Sequence, residues 1–194
     1  MDKARIELHL SNGKQHTFHP KSAADMLNIV SEIKSSKFFQ KNTVLFAADQ
    51  YLVHIQTKFI ELVYCFDPST EPKNITENEE DILEISRDDL LRLYLELPEA
   101  EKYSSRLKTP GEFMTTFLEI HTEGQREIFL KLHTQKRKSL EGREFITHLF
   151  ERPSMEFRLA SGGFGILRPS KITAQFTYPG PNTDVLPVDT FFIE

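Results

Sequence analysis

The chain has 194 residues, 39% of them hydrophobic, which is enough to fill a core and too many for full disorder. Sixteen Phe and five Tyr, with no Trp, favour a fold rich in β-sheet. The formal net charge of −5 is uneven, because residues 71–101 carry eleven Asp or Glu against three Lys or Arg. An overall acidic chain is not an obvious nucleic-acid binder, but this asymmetry leaves room for a local basic surface.

The single cysteine indicates a reducing compartment. Cys65 cannot form an intramolecular disulfide, and it lies in the apolar run Ile60–Phe66, which is typical of a strand interior. No stretch approaches the ~18 apolar residues of a membrane span, and no signal-like segment precedes the first alternating residues. We therefore expect a cytoplasmic protein with no membrane partner.

Residues 1–68 predict a ββαβββ module. Arg5–Leu10 alternates at period two and leads into Asn12-Gly13, a dipeptide typical of tight hairpin turns, before a returning strand at Lys14–His19. Ser22 is the expected N-cap of an amphipathic helix. Three further strands are predicted at Thr43–Ala48, Tyr51–Gln56 and Phe59–Phe66.

Residues 112–181 predict the same order of elements. Turn dipeptides, apolar positions and one Glu-x-His pair recur about 112 residues later, so we expect two diverged copies of one module. The helix of this copy is expected around Phe145–Phe150. Its strands are predicted at Leu118–His121, Gln125–Leu132, Met155–Ala160, Phe164–Arg168 and Lys171–Tyr178.

Two segments lie outside the modules. Residues 69–111 form an acidic linker, in which Ser86 caps one predicted helix and Pro98 begins a shorter one. Residues 182–194 form an apolar C-terminal tail, expected to pack on its own domain or on a partner protein. Its candidate contact residues are Phe191, Phe192 and Ile193.

The predicted fold class is α+β, with two mostly antiparallel sheets that each carry one helix, related by a pseudo-twofold axis and joined by the acidic helical linker. The residues expected in the two cores lie on helix stripes or on strand faces that should meet. They are Leu27, Val30, Leu45, Ile55, Ile60, Ile146, Leu149, Phe157, Leu167 and Ile172.

A candidate paired surface site consists of two Glu-x-His sequences. Glu7 with His9 and Glu119 with His121 each place a carboxylate and an imidazole on one strand face. Two such pairs could bind a metal ion, but no other His or Cys stands at ligand spacing, which favours solvent-facing residues. The sequence predicts no metal and no cofactor.

A candidate phosphate or nucleic-acid contact lies in a basic segment at a strand-to-helix connection. Few aromatic residues interleave with its charges, so a solvated loop is the favoured interpretation. Its residues are Lys131, Lys136, Arg137, Lys138 and Arg143.

The Gly-rich sequence Ser161–Gly165 resembles a phosphate-binding loop but lacks the Lys-Ser/Thr of a P-loop, so it predicts a hairpin turn. No local Ser/His/Asp, Cys/His or paired-carboxylate signature indicates a catalytic residue.

The sequence favours a non-catalytic protein-binding protein, such as a regulator, inhibitor or assembly factor. It would act through an exposed strand edge or through the groove between modules, and a homo-oligomer is compatible with this hypothesis. The alternative is weak, non-specific nucleic-acid association through the basic segment. The third hypothesis is an enzyme with a cleft between the modules.

Overall fold

The computed structural model describes residues 4–34, 37–47, 51–67, 80–98, 112–135 and 152–178. They contain the helices α1 (Ala23–Lys34) and α2 (Arg87–Glu96). The strands are β1 (Arg5–Leu10), β2 (Gln15–Phe18), β3 (Thr43–Ala47), β4 (Leu52–Gln56), β5 (Ile60–Phe66), β6 (Asp81–Ile85), β7 (Phe113–Thr122), β8 (Glu127–Gln135), β9 (Met155–Leu159), β10 (Phe164–Leu167) and β11 (Ile172–Tyr178). The α+β class is confirmed, and neither helix is long and apolar enough to span a bilayer.

One large sheet joins both halves of the chain. Its nine strands run in the order β11-β7-β8-β6-β9-β10-β5-β1-β2, and β3 with β4 forms a separate two-stranded sheet. All neighbours are antiparallel except β6 and β9. The expectation of two separate sheets was wrong, because β10 pairs directly with β5 and thereby continues one sheet into the other.

The strand registers of the two halves correspond at a constant offset. In the pair β1 and β5 Glu7 lies opposite Tyr64, and in the pair β7 and β11 Glu119 lies opposite Phe176, each 112 positions later. The same offset relates the register of β1 with β2 to that of β7 with β8. The irregularity that shifts the β1 and β5 register recurs at the equivalent point of β7 and β11.

The turns correspond at the same offset. Single 3₁₀ turns, Thr57–Phe59 and Pro169–Lys171, directly precede β5 and β11. The Ser11 amide donates to the Phe59 carbonyl, and 112 positions later the Glu123 amide donates to the Lys171 carbonyl. Gly13 and Gln125, also 112 apart, both have positive φ.

The two β-hairpins β3–β4 and β9–β10 differ. Thr43 pairs with Gln56, whereas Met155, its counterpart by offset, pairs with Leu167, so the registers differ by one residue. In β9–β10 Gly165 lies opposite Phe157, and a Cβ on Gly165 would stand 2.3 Å from the Phe157 ring. The glycine therefore makes room for a ring that packs directly across the hairpin.

Two hydrophobic cores lie on opposite faces of β5. The first core contains Ile6 and Leu8 from β1, together with α1 and the β3–β4 hairpin, and the second contains strands β7 to β10. Each core also receives a residue from the other half of the chain, since Ile166 joins the first and Leu62 the second. The sheet is thus shared by both cores.

Most of the predicted core residues that the structure describes are buried or half-buried, but two predictions were wrong. Leu27 is 66% exposed, because the helix α1 turns Met26 and Ile33 inwards and Leu27 lies off that stripe. Leu45 is 58% exposed, because the alternation of β3 sends Val44 and Phe46 to the core instead. Ile146 and Leu149 lie outside the described residues.

The acidic linker contributes a strand as well as a helix. Ser86 caps α2 as predicted, its hydroxyl accepting from the Asp89 amide at 3.0 Å. The unpredicted strand β6 lies between β8 and β9 in the middle of the sheet, where its carboxylate Asp81 pairs with Arg158 at 2.7 Å. The second linker helix expected at Pro98 lies largely outside the described residues.

Candidate functional site

The large sheet ends in two edge strands of different character. β2 has only four residues, and so short a strand discourages pairing with another chain. β11 has seven residues, Ile-Thr-Ala-Gln-Phe-Thr-Tyr, with neither a charge nor a proline. No strand in the described part of the chain pairs with its outer edge.

An aromatic side chain stands in the middle of this outer edge strand. Phe176 is 46% exposed although it is a large apolar residue. Its inner neighbour is the ring of His121, whose centroid lies 5.4 Å away. Farther along β11, Tyr178 contacts Tyr94 of α2 at 5.7 Å between centroids. Among the described residues, the strand therefore presents backbone groups without a strand partner beside an exposed ring.

The counterpart of β11 in the first half, β5, is covered on both edges. β1 pairs with one edge and β10 with the other. Phe164 lies opposite Cys65, and the pairing continues to Leu167 opposite Leu62. A tight approach accompanies this contact, since a Cβ on Gly163 would stand 2.0 Å from the Cys65 carbonyl oxygen. The same kind of strand is thus fully paired in one half and an edge in the other.

The β3–β4 hairpin carries a second exposed apolar surface. Its inner side packs on the first core, where Phe46 stacks on Phe18 with centroids 4.0 Å apart. Its outer side exposes Leu45 and Leu52 by 58% and 54%, with Tyr51 at its start. In the described residues β3 is the only strand that pairs with β4. No described strand therefore covers the outer edge of β4, and the apolar face with Leu45 and Leu52 is exposed.

The two Glu-x-His pairs occupy different environments. His9 is 2% exposed, its Nε2 lies 3.6 Å from Glu7 Oε2, and neither ring nitrogen has a hydrogen-bond partner. The His121 side chain is 33% exposed, and its Nε2 lies 2.9 Å from Glu119 Oε1. In each pair the two side chains lie close together on one strand face, but His9 is buried. Throughout the described ranges, no group of three His, Cys, Asp or Glu residues is arranged to hold a metal ion.

Polar and charged side chains lie near the buried His9 ring. Burial, reinforced by the nearby Arg126 charge and opposed by Glu7, lowers the pKa of His9 to about 4. The Tyr64 ring meets the His9 ring edge-on at 5.2 Å, and the Tyr64 hydroxyl donates to Glu84. Burial raises the pKa of Tyr64 and of Glu84. Burial thus favours the uncharged form of each of these groups.

A buried carboxylate connects the two halves at one end of the sheet. Glu61 of β5 is fully buried and accepts hydrogen bonds from the Thr122 hydroxyl at 2.9 Å and the Gly124 amide at 2.8 Å. Arg126 Nε lies 3.9 Å from the same carboxylate. Three strands separate β5 from β8 in the sheet, so this contact requires the sheet to curl. One sequence signal could have indicated the role of Glu61, namely a lone acid inside the apolar run Ile60–Phe66.

Of the five basic residues in the candidate phosphate contact, the structure describes only Lys131. Lys131 lies in β8, opposite Leu83 on one side and Phe117 on the other. Its partners in the candidate contact, Lys136, Arg137, Lys138 and Arg143, lie outside the described residues, as do Phe191, Phe192 and Ile193. Ser161–Gly165 covers part of the turn between β9 and β10 and the first two residues of β10. The Gly162 amide donates to the Leu159 carbonyl at 3.1 Å in this turn, as the hairpin prediction requires.

The edge of β11 was not singled out by sequence reasoning. The signal available in the sequence was a run of seven residues with no charge and no proline.

Comparison with known proteins identifies no relative, since no family model, no curated protein and no solved structure matches the chain.

Proposed function

We propose that the chain is a non-catalytic protein-binding protein, a regulator, inhibitor or assembly factor that binds a partner through the outer edge of β11. The observation that carries this proposal is the contrast between β5, which is paired on both edges, and β11, which has one edge without a strand partner in the described residues. Open backbone donors and acceptors on such an edge can pair with an added strand.

The composition of β11 supports this proposal. Soluble proteins discourage edge-to-edge pairing with charges, prolines, bulges or very short strands. The other edge of the sheet, β2, is only four residues long, whereas β11 runs for seven residues with neither a charge nor a proline within it. An edge of this kind, with the exposed Phe176 at its middle, is suited to an extended apolar strand of a partner.

We further infer that the two halves are diverged copies of one ββαβββ module. The support is the constant offset of 112 in strand register, in turn hydrogen bonds and in positive-φ positions. Unrelated β-rich segments can share turn residues, but a common register across three strands is much less expected by chance. Duplication accounts for why one copy offers an edge like the one that the other copy already uses.

The proposal is tested with the full chain and a partner purified with it from the native cell. Backbone pairing at the edge predicts that the purified partner slows amide hydrogen exchange in residues 172–178. Phe176→Lys places a charge on the edge and should weaken binding by roughly tenfold or more.

The matched control is Leu27→Lys, which places the same charge on an exposed apolar position of α1. It should leave the affinity unchanged, since α1 does not contribute to the edge. A partner that binds wild type and Phe176→Lys equally well, and that protects amides outside β11, would refute the proposed binding edge.

A further inference from the structure

The pairing of β10 with β5 is the only direct strand contact between the two halves in the described residues. It is antiparallel and covers four residue pairs, from Phe164 opposite Cys65 to Leu167 opposite Leu62. β10 buries side chains on both of its faces, because Ile166 lies in the first core and Leu167 in the second. This contact defines how a hairpin of one copy covers the strand of another.

The reciprocal contact would join β4 to β11. β4 ends just before the 3₁₀ turn at Thr57–Phe59, as β10 ends just before the turn at Pro169–Lys171, so the two strands are counterparts by position. Within the described ranges, β4 lacks a second strand partner and so does β11. Every copy of the chain therefore contains both strands, β4 and β11, that this contact would join.

Side chains on β4 and β11 are more exposed than their counterparts on β10 and β5. Leu52 is 54% exposed, whereas Phe164, 112 positions later, packs against the first core. Phe176 is 46% exposed, whereas Tyr64, its counterpart on β5, packs against the second core. Leu52 and Phe176 are thus exposed, whereas their counterparts Phe164 and Tyr64 belong to the paired strands β10 and β5.

Within the described residues of one chain β4 and β11 do not pair with each other. β4 pairs with β3 and packs in the first core through Val53 and Ile55, while β11 pairs with β7. A second copy of the chain supplies the same hairpin. Neither β4 nor β11 contains Asp, Glu, Lys or Arg, so two copies of a chain with net charge −5 meet there without charged side chains facing each other.

We propose that β4 of a second copy pairs antiparallel with β11, with Leu52 opposite Thr177, and that two copies exchange this contact reciprocally. The register is that of β10 on β5 shifted by 112 positions. Such an exchange is isologous and closes after two chains. This inference rests on the proposed function, because it names the partner that occupies the same edge.

The test mixes two single-cysteine variants of the full chain, Leu52→Cys and Thr177→Cys, under mild oxidation. The native Cys65 is fully buried, and burial raises its pKa to about 12, so it does not compete. The mixture should form a disulfide-linked heterodimer, and neither variant alone should cross-link. Leu27→Cys mixed with Thr177→Cys is the control and should give no cross-link.

Sedimentation over a wide range of protein concentration gives the second readout. Wild type should show a reversible monomer–dimer equilibrium, and Phe176→Lys should weaken dimerisation by about tenfold or more, whereas Leu27→Lys should not. A monomer at all concentrations with no cross-link would overturn the self-association. Protection, independent of concentration, of those 172–178 amides that do not bond to β7 would also overturn it, by assigning the outer edge to another segment of the same chain.

The two proposals fail separately. If β11 is protected only by a different purified protein, the self-association is wrong and the binding edge stands. If neither a second copy nor a co-purified protein contacts β11, both are wrong.

Discussion

At the scale of single residues, His9 is the side chain whose burial has the clearest consequence for stability. Its ring is almost fully buried, its nitrogens lack hydrogen bonds, and its pKa lies near 4 in the fold against 6.5 for an unperturbed histidine. Between these two values the unfolded chain binds a proton that the folded chain does not. Stability from this group is therefore present above pH 6.5 and is lost as the pH falls towards 4.

We predict that His9→Phe removes this part of the pH dependence. The difference between the two pKa values corresponds to about 3 kcal/mol, so the free energy of unfolding of the variant should gain about that much relative to wild type between pH 7 and pH 4. Urea unfolding of both proteins at several pH values measures it. His54→Phe, at an exposed position of β4, is the control. Parallel curves for wild type and His9→Phe would contradict the prediction.

Glu61 is the second residue whose environment gives a definite expectation. Glu61→Ala would leave the Thr122 hydroxyl and the Gly124 amide without their acceptor at a buried position. Such a loss should cost about 2–4 kcal/mol in the free energy of unfolding. Glu123→Ala is the matched control, because Glu123 belongs to the same turn but pairs with Lys171 at the surface, where removal should cost less than about 1 kcal/mol. Equal losses at both positions would contradict the assignment.

These residue-level features show what could be predicted from the sequence and what could not. Ser22 and Ser86 were predicted as helix caps correctly, because a cap depends on neighbours three residues away. The burial of His9 depends instead on Tyr64 and Arg126, which are distant along the chain. The alternation of residues in β1 predicted that Glu7 and His9 share a strand face. It could not predict whether the folded sheet would bury that face or expose it to solvent.

At the scale of elements, the hairpins β3–β4 and β9–β10 explain why one core prediction failed. Leu45 and Phe157 are 112 positions apart, but the one-residue change of register turns Leu45 outwards while Phe157 is 1% exposed. A one-residue shift of register moves every side chain of a strand to the opposite face of the sheet. No local pattern distinguishes Leu45 from its neighbours Val44 and Phe46. Strand positions were predictable from alternation and turns, whereas this choice of face was not.

The contrast gives a prediction for two equivalent substitutions. Phe157→Ala should lower the free energy of unfolding by about 3–5 kcal/mol, since it empties a ring-sized volume against Gly165. Leu45→Ala should change it by less than about 1 kcal/mol, because that side chain is largely in solvent already. Chemical denaturation of the two variants measures both values. A large loss at Leu45 alone would mean that the hairpin face is covered in the free protein.

At the scale of the whole molecule, the arrangement of strands could not be read from the order of elements along the chain. The sequence predicted an acidic, partly helical linker at residues 69–111, yet Asp81–Ile85 is a strand in the middle of the large sheet. Its parallel pairing with β9 and its antiparallel pairing with β8 are long-range contacts that satisfy backbone groups of both neighbours. The linker thus completes the sheet that the two halves share.

Because the cores share elements, we predict that the described halves unfold as one cooperative unit. β5 supplies Leu62 to the second core and β10 supplies Ile166 to the first, so disrupting either core removes contacts from the other. Leu8→Ala, a fully buried change in the first core, should lower stability by about 2–5 kcal/mol. Native-state hydrogen exchange should show that loss at the amides of β1 and, to the same extent, at those of β8 in the second half. Leu27→Ala, at an exposed position, should leave both sets unchanged. If Leu8→Ala lowered protection in β1 and β5 while β8 kept its wild-type value, the halves would be independent folding units joined only in the native sheet.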